Sequence, residues 1–119
     1  QHWQEAINLY RGPFLQGHDD PWIVARRADF LNGYMEAVTQ MAEVRYARGA
    51  AEHALRLYLR ALQEDFTRED LHRRVIQLYA GMGRRGEAAA HYQRLQGEFK
   101  AARRKVSPET EAVYRSIIA

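Results

Sequence analysis

The chain has no cysteine, which excludes disulfides, thiolate metal sites and a cysteine nucleophile and permits a reducing compartment. Apolar residues never run together for the roughly 20 positions of a membrane span, and no basic-then-apolar leader opens the chain. A cytoplasmic protein is therefore expected. Nowhere do apolar and polar residues alternate as in a half-buried strand. Hydroxyl side chains are few, and Thr67, Ser107 and Thr110 read as helix-start residues, so a nucleophile with its own acid and base is missing. Gly83-Arg84-Arg85-Gly86 lacks the lysine and hydroxyl that a phosphate-cradling loop needs. The charge excess is also small, +3 from 18 basic and 15 acidic side chains. That is far from the dense basic footprint of a stand-alone nucleic-acid binder. Catalysis, cofactor binding and direct DNA binding are not expected.

What the chain does contain is a repeat. Displaced by 34 residues, Gly49 falls on Gly83, Ala54 on Ala88, Tyr58 on Tyr92, Arg60 on Arg94 and Glu64 on Glu98. Three of these matches carry the mechanics of a helix-turn-helix unit. Glycine closes a helix in the left-handed conformation. A small alanine lets a neighbouring axis approach, and a tyrosine one turn further along the same face fills the space between helices. The pattern resembles the tetratricopeptide (TPR) repeat, with Ala61 at its next small position. Val38 and His72 stand where that repeat expects a large residue, and Phe66 and Lys100 where it ends in proline. The resulting fold class is all-α, a TPR-like right-handed helical superhelix of about six helices. With 119 residues, 46% of them hydrophobic, the chain is expected to form one domain, residues 1–119. Gln1 already lies in a helical pattern, so the chain reads as a fragment of a larger protein.

In chain order, Trp3, Ala6, Ile7 and Tyr10 outline a short amphipathic helix ending near Gly12-Pro13. Phe14 and Leu15 then plug a loop that runs to Asp20. Asp20-Pro21 is an N-cap and first-turn pair. The helix it opens runs to Arg48 with a stripe of Ile23, Phe30, Tyr34, Met41 and Arg45, and Gly33 in its middle implies a bend or a close helix contact. Ala51 to Glu64 buries Ala54, Leu55, Tyr58, Ala61 and Leu62. Thr67 and Asp70 match a capping box, followed by a stripe of Leu71, Val75, Leu78, Tyr79 and Met82. Gly83 to Gly86 forms a turn. Ala88, Tyr92, Leu95, Phe99, Ala102 and Val106 continue through a longer helix. Ser107-Pro108 starts the last one, whose Val113, Tyr114, Ile117 and Ile118 close the stack.

The histidines, at positions 2, 18, 53, 72 and 91, contain no i, i+4 pair for a helical zinc site. His18-Asp19-Asp20 reads as an exposed loop, so no metal is expected. Glu36 and Glu43 share a helix face, a common feature of solvated helices. Arg84 and Arg85 sit in a turn beside a helix start, where an anion can be gripped, whereas Arg103 to Lys105 are read as offsetting a helix dipole. By its TPR resemblance, the first helix of each unit lines a concave groove. This implies a partner-binding surface of Glu36, Thr39, Glu43 and Tyr46 with Asp70, Arg73 and Gln77, suited to a peptide or partner helix. Replacing Arg73 is expected to leave the fold intact.

Leu9-Tyr10-Arg11-Gly12-Pro13-Phe14-Leu15-Gln16-Gly17, then Pro21-Trp22-Ile23 and Arg26-Arg27, resemble the opening of the bacterial transcriptional activator domain. That domain is the TPR-like module of SARP-type regulators and of some larger multi-domain regulators. Ala54 to Leu62, Arg68 to Arg73, Leu78-Tyr79-Ala80, Ala88 to Leu95 and Ser107-Pro108-Glu109-Thr110 fit the same family, and Gln16 replaces a frequent proline. The resemblance implies a non-catalytic protein-interaction and signal-relay module. Its partner is a neighbouring domain of the same regulator or a second copy, with DNA reached only through a separate winged-helix domain. The alternative is a sensor that binds an anionic small molecule or nucleotide through arginines such as Arg73, Arg84 and Arg85.

Overall fold

Helical periodicity and three matching stop signals build the structure. The computed structural model describes residues 21–118, and among these are five helices and no strand. They are α1 (Pro21–Ala47), α2 (Ala51–Glu64), α3 (Glu69–Gly81), α4 (Arg85–Ala101) and α5 (Pro108–Ile118). The expected helix around Trp3 to Tyr10, the Phe14–Leu15 plug and the Asp20 cap lie outside the described residues.

α1 begins at the proline whose fixed φ suits a first helical position and is 27 residues long. Its buried side chains are Tyr34, Met35, Ala37, Val38, Met41 and Ala42, while Ile23, Phe30 and Arg45 are half-buried. Among the described residues, the expected close contact at Gly33 is absent. That glycine is exposed, and a Cβ built there meets nothing within 4 Å. α2 has the expected bounds and buries the expected face, Ala54, Leu55, Tyr58, Ala61 and Leu62.

Packing divides the chain into two compact units, Gln1–Leu57 and Tyr58–Ala119. In the second unit Ile76 on α3 and Ala88 and Tyr92 on α4 form a buried cluster. Tyr79, Val106, Val113, Tyr114 and Ile117 pack around it. The Tyr92 and Tyr114 rings stack at 3.9 Å between centroids and 8° between planes, which fastens α5 to α4. α4 buries Ala88, Tyr92, Leu95 and Phe99, spaced four, three and four residues apart so that one stripe faces inward.

Three helices end in the same reversal. After α1, the Ala50 N–H donates to the Arg45 carbonyl at 2.9 Å and that of Gly49 to Tyr46 at 3.0 Å. After α3, Arg84 donates to Tyr79 at 2.8 Å and Gly83 to Ala80 at 3.0 Å. After α4, Arg104 donates to Phe99 at 2.7 Å and Arg103 to Lys100 at 3.0 Å. These are Schellman pairs, which satisfy the orphan carbonyls of a last turn and place the residue after the cap in left-handed space. Gly49 and Gly83 have φ of 82° and 76°, and the third position is occupied by Arg103 at 60°. α4 therefore stops at Ala101 instead of continuing through Val106, which packs from the following loop.

Two further expectations change. Arg85 and Gly86 belong to the first turn of α4, so the turn is shorter than Gly83 to Gly86. The Thr67–Asp70 capping box does not form. The Thr67 hydroxyl and N–H both donate to Asp65 Oδ1, at 2.6 and 3.1 Å, and the N-cap of α3 is Arg68, which makes no side-chain cap bond. A carboxylate two residues upstream has taken the hydroxyl, while Asp70 is held by Arg68. The last helix does start as expected. Ser107 Oγ accepts the Thr110 N–H at 3.3 Å, three residues on, as an N-cap serine does.

Left-handed backbone costs a residue with a Cβ about 1–2 kcal/mol. Arg103→Gly is therefore expected to raise the urea-unfolding free energy by about 1 kcal/mol, and Gly83→Ala to lower it by about 1 kcal/mol although the space beside it is open. A destabilised Arg103→Gly would show that Arg103 is held by contacts and not strained.

Candidate interaction surface

On α1, Glu36, Thr39, Glu43 and Tyr46 follow one another at three, four and three residues, which sets them along one helix face. Glu36, Glu43 and Tyr46 are exposed, and Tyr46 keeps 45% of its surface in solvent. The Gln40 amide donates to Glu36 Oε1 at 3.1 Å. Thr39 is less available, because its hydroxyl donates to the Met35 carbonyl at 2.7 Å.

On α3, Asp70, Arg73 and Gln77 also share a face. Asp70 accepts both Nε and Nη2 of Arg68, at 3.0 and 2.9 Å. This bidentate bond holds the Asp70 carboxyl below its ordinary range and the Arg68 guanidinium above its own. Gln77 is exposed. Arg73 has a different duty, since its Nη1 donates to Thr110 Oγ1 at 3.1 Å. Thr110 is fully buried and donates its hydroxyl to Glu69 Oε2 at 2.7 Å, and the Ser107 N–H donates to the same oxygen at 3.0 Å. Burial alone would raise the Glu69 carboxyl, but the bonds from Thr110 and Ser107 and the Arg73 charge outweigh it and leave it below the ordinary range. The group joins the starts of α3 and α5. Arg73 is thus part of the fold's polar scaffold, which corrects the expectation that its loss would leave the fold untouched.

Of the arginines considered for an anion, Arg84 places Nε and Nη2 on the two oxygens of Glu87, at 2.6 and 2.7 Å. Its guanidinium also lies over the Tyr79 ring, 5.1 Å from the centroid. Arg85 is exposed in the first turn of α4. The histidines produce an arrangement that spacing did not reveal. His72 is fully buried, and its Nε2 lies 2.7 Å from the Phe66 carbonyl, which can only accept. Nε2 therefore carries the proton, and Nδ1 is left as the acceptor for His91 Nε2–H at 2.9 Å. The ring of His72 also meets Phe66 edge-on at 4.5 Å. His91 opens onto a cleft of about 600 Å³ lined with Leu59, Phe66, Arg94 and Glu98. The two rings are 19 residues apart in sequence, so only the packing of α4 on α3 brings them together.

No group of three or more histidine, cysteine, aspartate or glutamate side chains among the described residues could hold a metal ion. His2 and His18 lie outside them. Among the described residues, no helix is long and apolar enough to cross a membrane.

Compared with known families, the chain matches the model of the bacterial transcriptional activator domain over residues 1–118. No curated protein and no solved structure matches it.

The histidine pair makes stability depend on pH. Burial, then the neighbouring His72 and Arg94, lower His91 from 6.5 to about 4, and burial lowers His72. In that window the unfolded chain binds protons that the folded chain refuses, so stability falls as pH drops from 6.5 towards 4. Each tenfold loss of proton affinity on folding corresponds to about 1.4 kcal/mol, so His91 alone accounts for a loss of about 3 kcal/mol by pH 4. Urea unfolding across this range should show that loss, and His91→Gln, which keeps an N–H donor for His72 and does not titrate, should remove most of it. An identical pH profile in the variant would rule out His91 as the source.

Proposed function

The chain belongs to the bacterial transcriptional activator domain family, and from that premise we propose a non-catalytic protein-interaction and signal-relay role within a transcription regulator. Membership makes it a helical, TPR-like domain of such a regulator. The proposed partner is a neighbouring domain of the same regulator or a second copy of this chain, with DNA engaged by a separate domain. The observation that carries the reading is Tyr46, an aromatic ring left 45% exposed on the face that also holds Glu36 and Glu43. Aromatic side chains are enriched at the centres of protein interfaces, where their apolar body is buried and a polar tip stays satisfied. Within its own unit, the face of α3 that carries Asp70 and Gln77 presents exposed polar groups.

The second reading, an anion sensor working through arginines, has less support. Arg84 is already neutralised by Glu87 and Arg73 is committed to Thr110, which leaves Arg85 as the exposed member of that set.

A photo-crosslinking residue at position 43 or 46 of the full-length regulator should give a discrete cross-linked product with a neighbouring domain or a second protomer. Tyr46→Ala combined with Glu43→Ala should weaken that contact by roughly 5- to 30-fold, as loss of an interface anchor does, and lower promoter output with the fold unchanged by circular dichroism. Unaltered output and cross-linking in the double variant would refute the assignment of this surface.

A further inference from the structure

The C-terminal end of α4 and the loop after it form a second feature that the stripes on α1 and α3 do not use. A cleft of about 420 Å³ is lined by Tyr92 and Val106, with Lys100, Arg104 and Lys105 along it and Glu111 on one wall. Lys100 belongs to the last turn of α4, where it complements the helix dipole. Arg104 and Lys105 lie beyond the helix, and the left-handed turn at Arg103 sets the course of the chain that carries them. All three cations are exposed. Neither lysine has a carboxylate partner among the described residues, and Glu111 is paired with Arg115 at 3.6 Å.

Arg104 is already positioned. Its guanidinium lies over the Phe99 ring at 4.7 Å from the centroid. A guanidinium held over a ring in this way can still offer N–H groups to a carboxylate, the partner that arginine pairs with in bidentate geometry. The cleft therefore combines a cation set over an aromatic ring, two further exposed cations and an apolar floor to which Tyr92, stacked on Tyr114, and Val106 contribute. Charge complementarity selects an occupant that is acidic and also presents an apolar side chain. Nucleic acid suits it less well. The apolar floor offers nothing to a phosphate, and the whole chain carries only +3.

We propose that this cleft docks an acidic segment of a partner protein, whose carboxylates pair with Lys100, Arg104 and Lys105 while an apolar side chain rests on Tyr92 and Val106. The site shares no residue with the Tyr46 stripe and does not depend on it. Fluorescence anisotropy of the chain with a short labelled peptide, glutamates flanking a central Leu-Phe pair, tests the idea. Saturable binding that weakens with salt is expected. A Lys100→Glu, Arg104→Glu, Lys105→Glu variant should lose at least about tenfold in affinity through like-charge repulsion. A variant with the same charge change elsewhere, Arg26→Glu, Arg48→Glu, Arg56→Glu, should lose less than about twofold. Replacing the peptide's glutamates by glutamine, or its Leu-Phe pair by serines, should each weaken binding. If the triple charge reversal unfolds the chain, Lys100→Gln with Lys105→Gln leaves Arg104 on Phe99 and should shift affinity in the same direction. The proposal is overturned if the peptide shows no saturable binding, if both charge-reversal variants weaken it equally, or if a single-stranded thymidine oligonucleotide binds more tightly than the peptide.

Discussion

The stacked rings of Tyr92 and Tyr114 are the contact on which the second unit depends. They fasten the last helix to the cluster of Ile76, Ala88 and Tyr92. An alanine one turn before the tyrosine keeps that face of α4 flat enough for α3 to approach, and the tyrosine fills the space beyond it. Each buried aromatic removes on the order of 150–250 Å² of surface from water, a large term in a chain of this size. Val106 reaches the same cluster from the loop, so the loop that the left-handed turn at Arg103 starts is anchored beside the two rings.

Polar groups buried around this cluster are satisfied, which gives the packing a single register. Thr110 is enclosed but bonds to Glu69, Arg73 and Ser107, joining the first turn of α5 to α3. His72 is enclosed but bonds to Phe66 and His91, joining α3 to α4 and to the loop before it. A buried polar group left unpaired costs more than a formed bond gains. Sliding one helix past its neighbour would break these bonds and is disfavoured for that reason. The scaffold of this unit is thus determined from within.

The parts of this architecture that are local in the chain were legible in the sequence. α2 could be read to its bounds because Ala54, Leu55, Tyr58, Ala61 and Leu62 recur at helical spacing and nothing competes with them. Gly49 and Gly83 announced their caps, because glycine is the residue that left-handed backbone prefers. Arg103 occupies the same conformation without that signature, so the apolar spacing of α4 carries on through Val106 although the helix does not. Thr67 and Asp70 had the right spacing for a capping box, but Asp65 was closer to the hydroxyl and Arg68 bound the carboxylate. His72 and His91, and likewise Arg73 and Thr110, meet only through tertiary packing, and no local pattern connects them. The stripe on α1 was legible as an exposed face. Its role as an interface is a chemical inference that neither the helical period nor the packing supplies.

If the Tyr92–Tyr114 stack and the Glu69–Thr110 network hold α5 as firmly as the rest of its unit, the unit opens as a whole. Native-state hydrogen exchange tests this most directly, because it reports the opening free energy of each helix separately. The backbone amides of Val113 to Ile117 should be protected to within about 1 kcal/mol of those around Ile76 and Leu95. Exchange of the α5 amides through a local opening several kcal/mol easier than that of α3 and α4 would contradict the account.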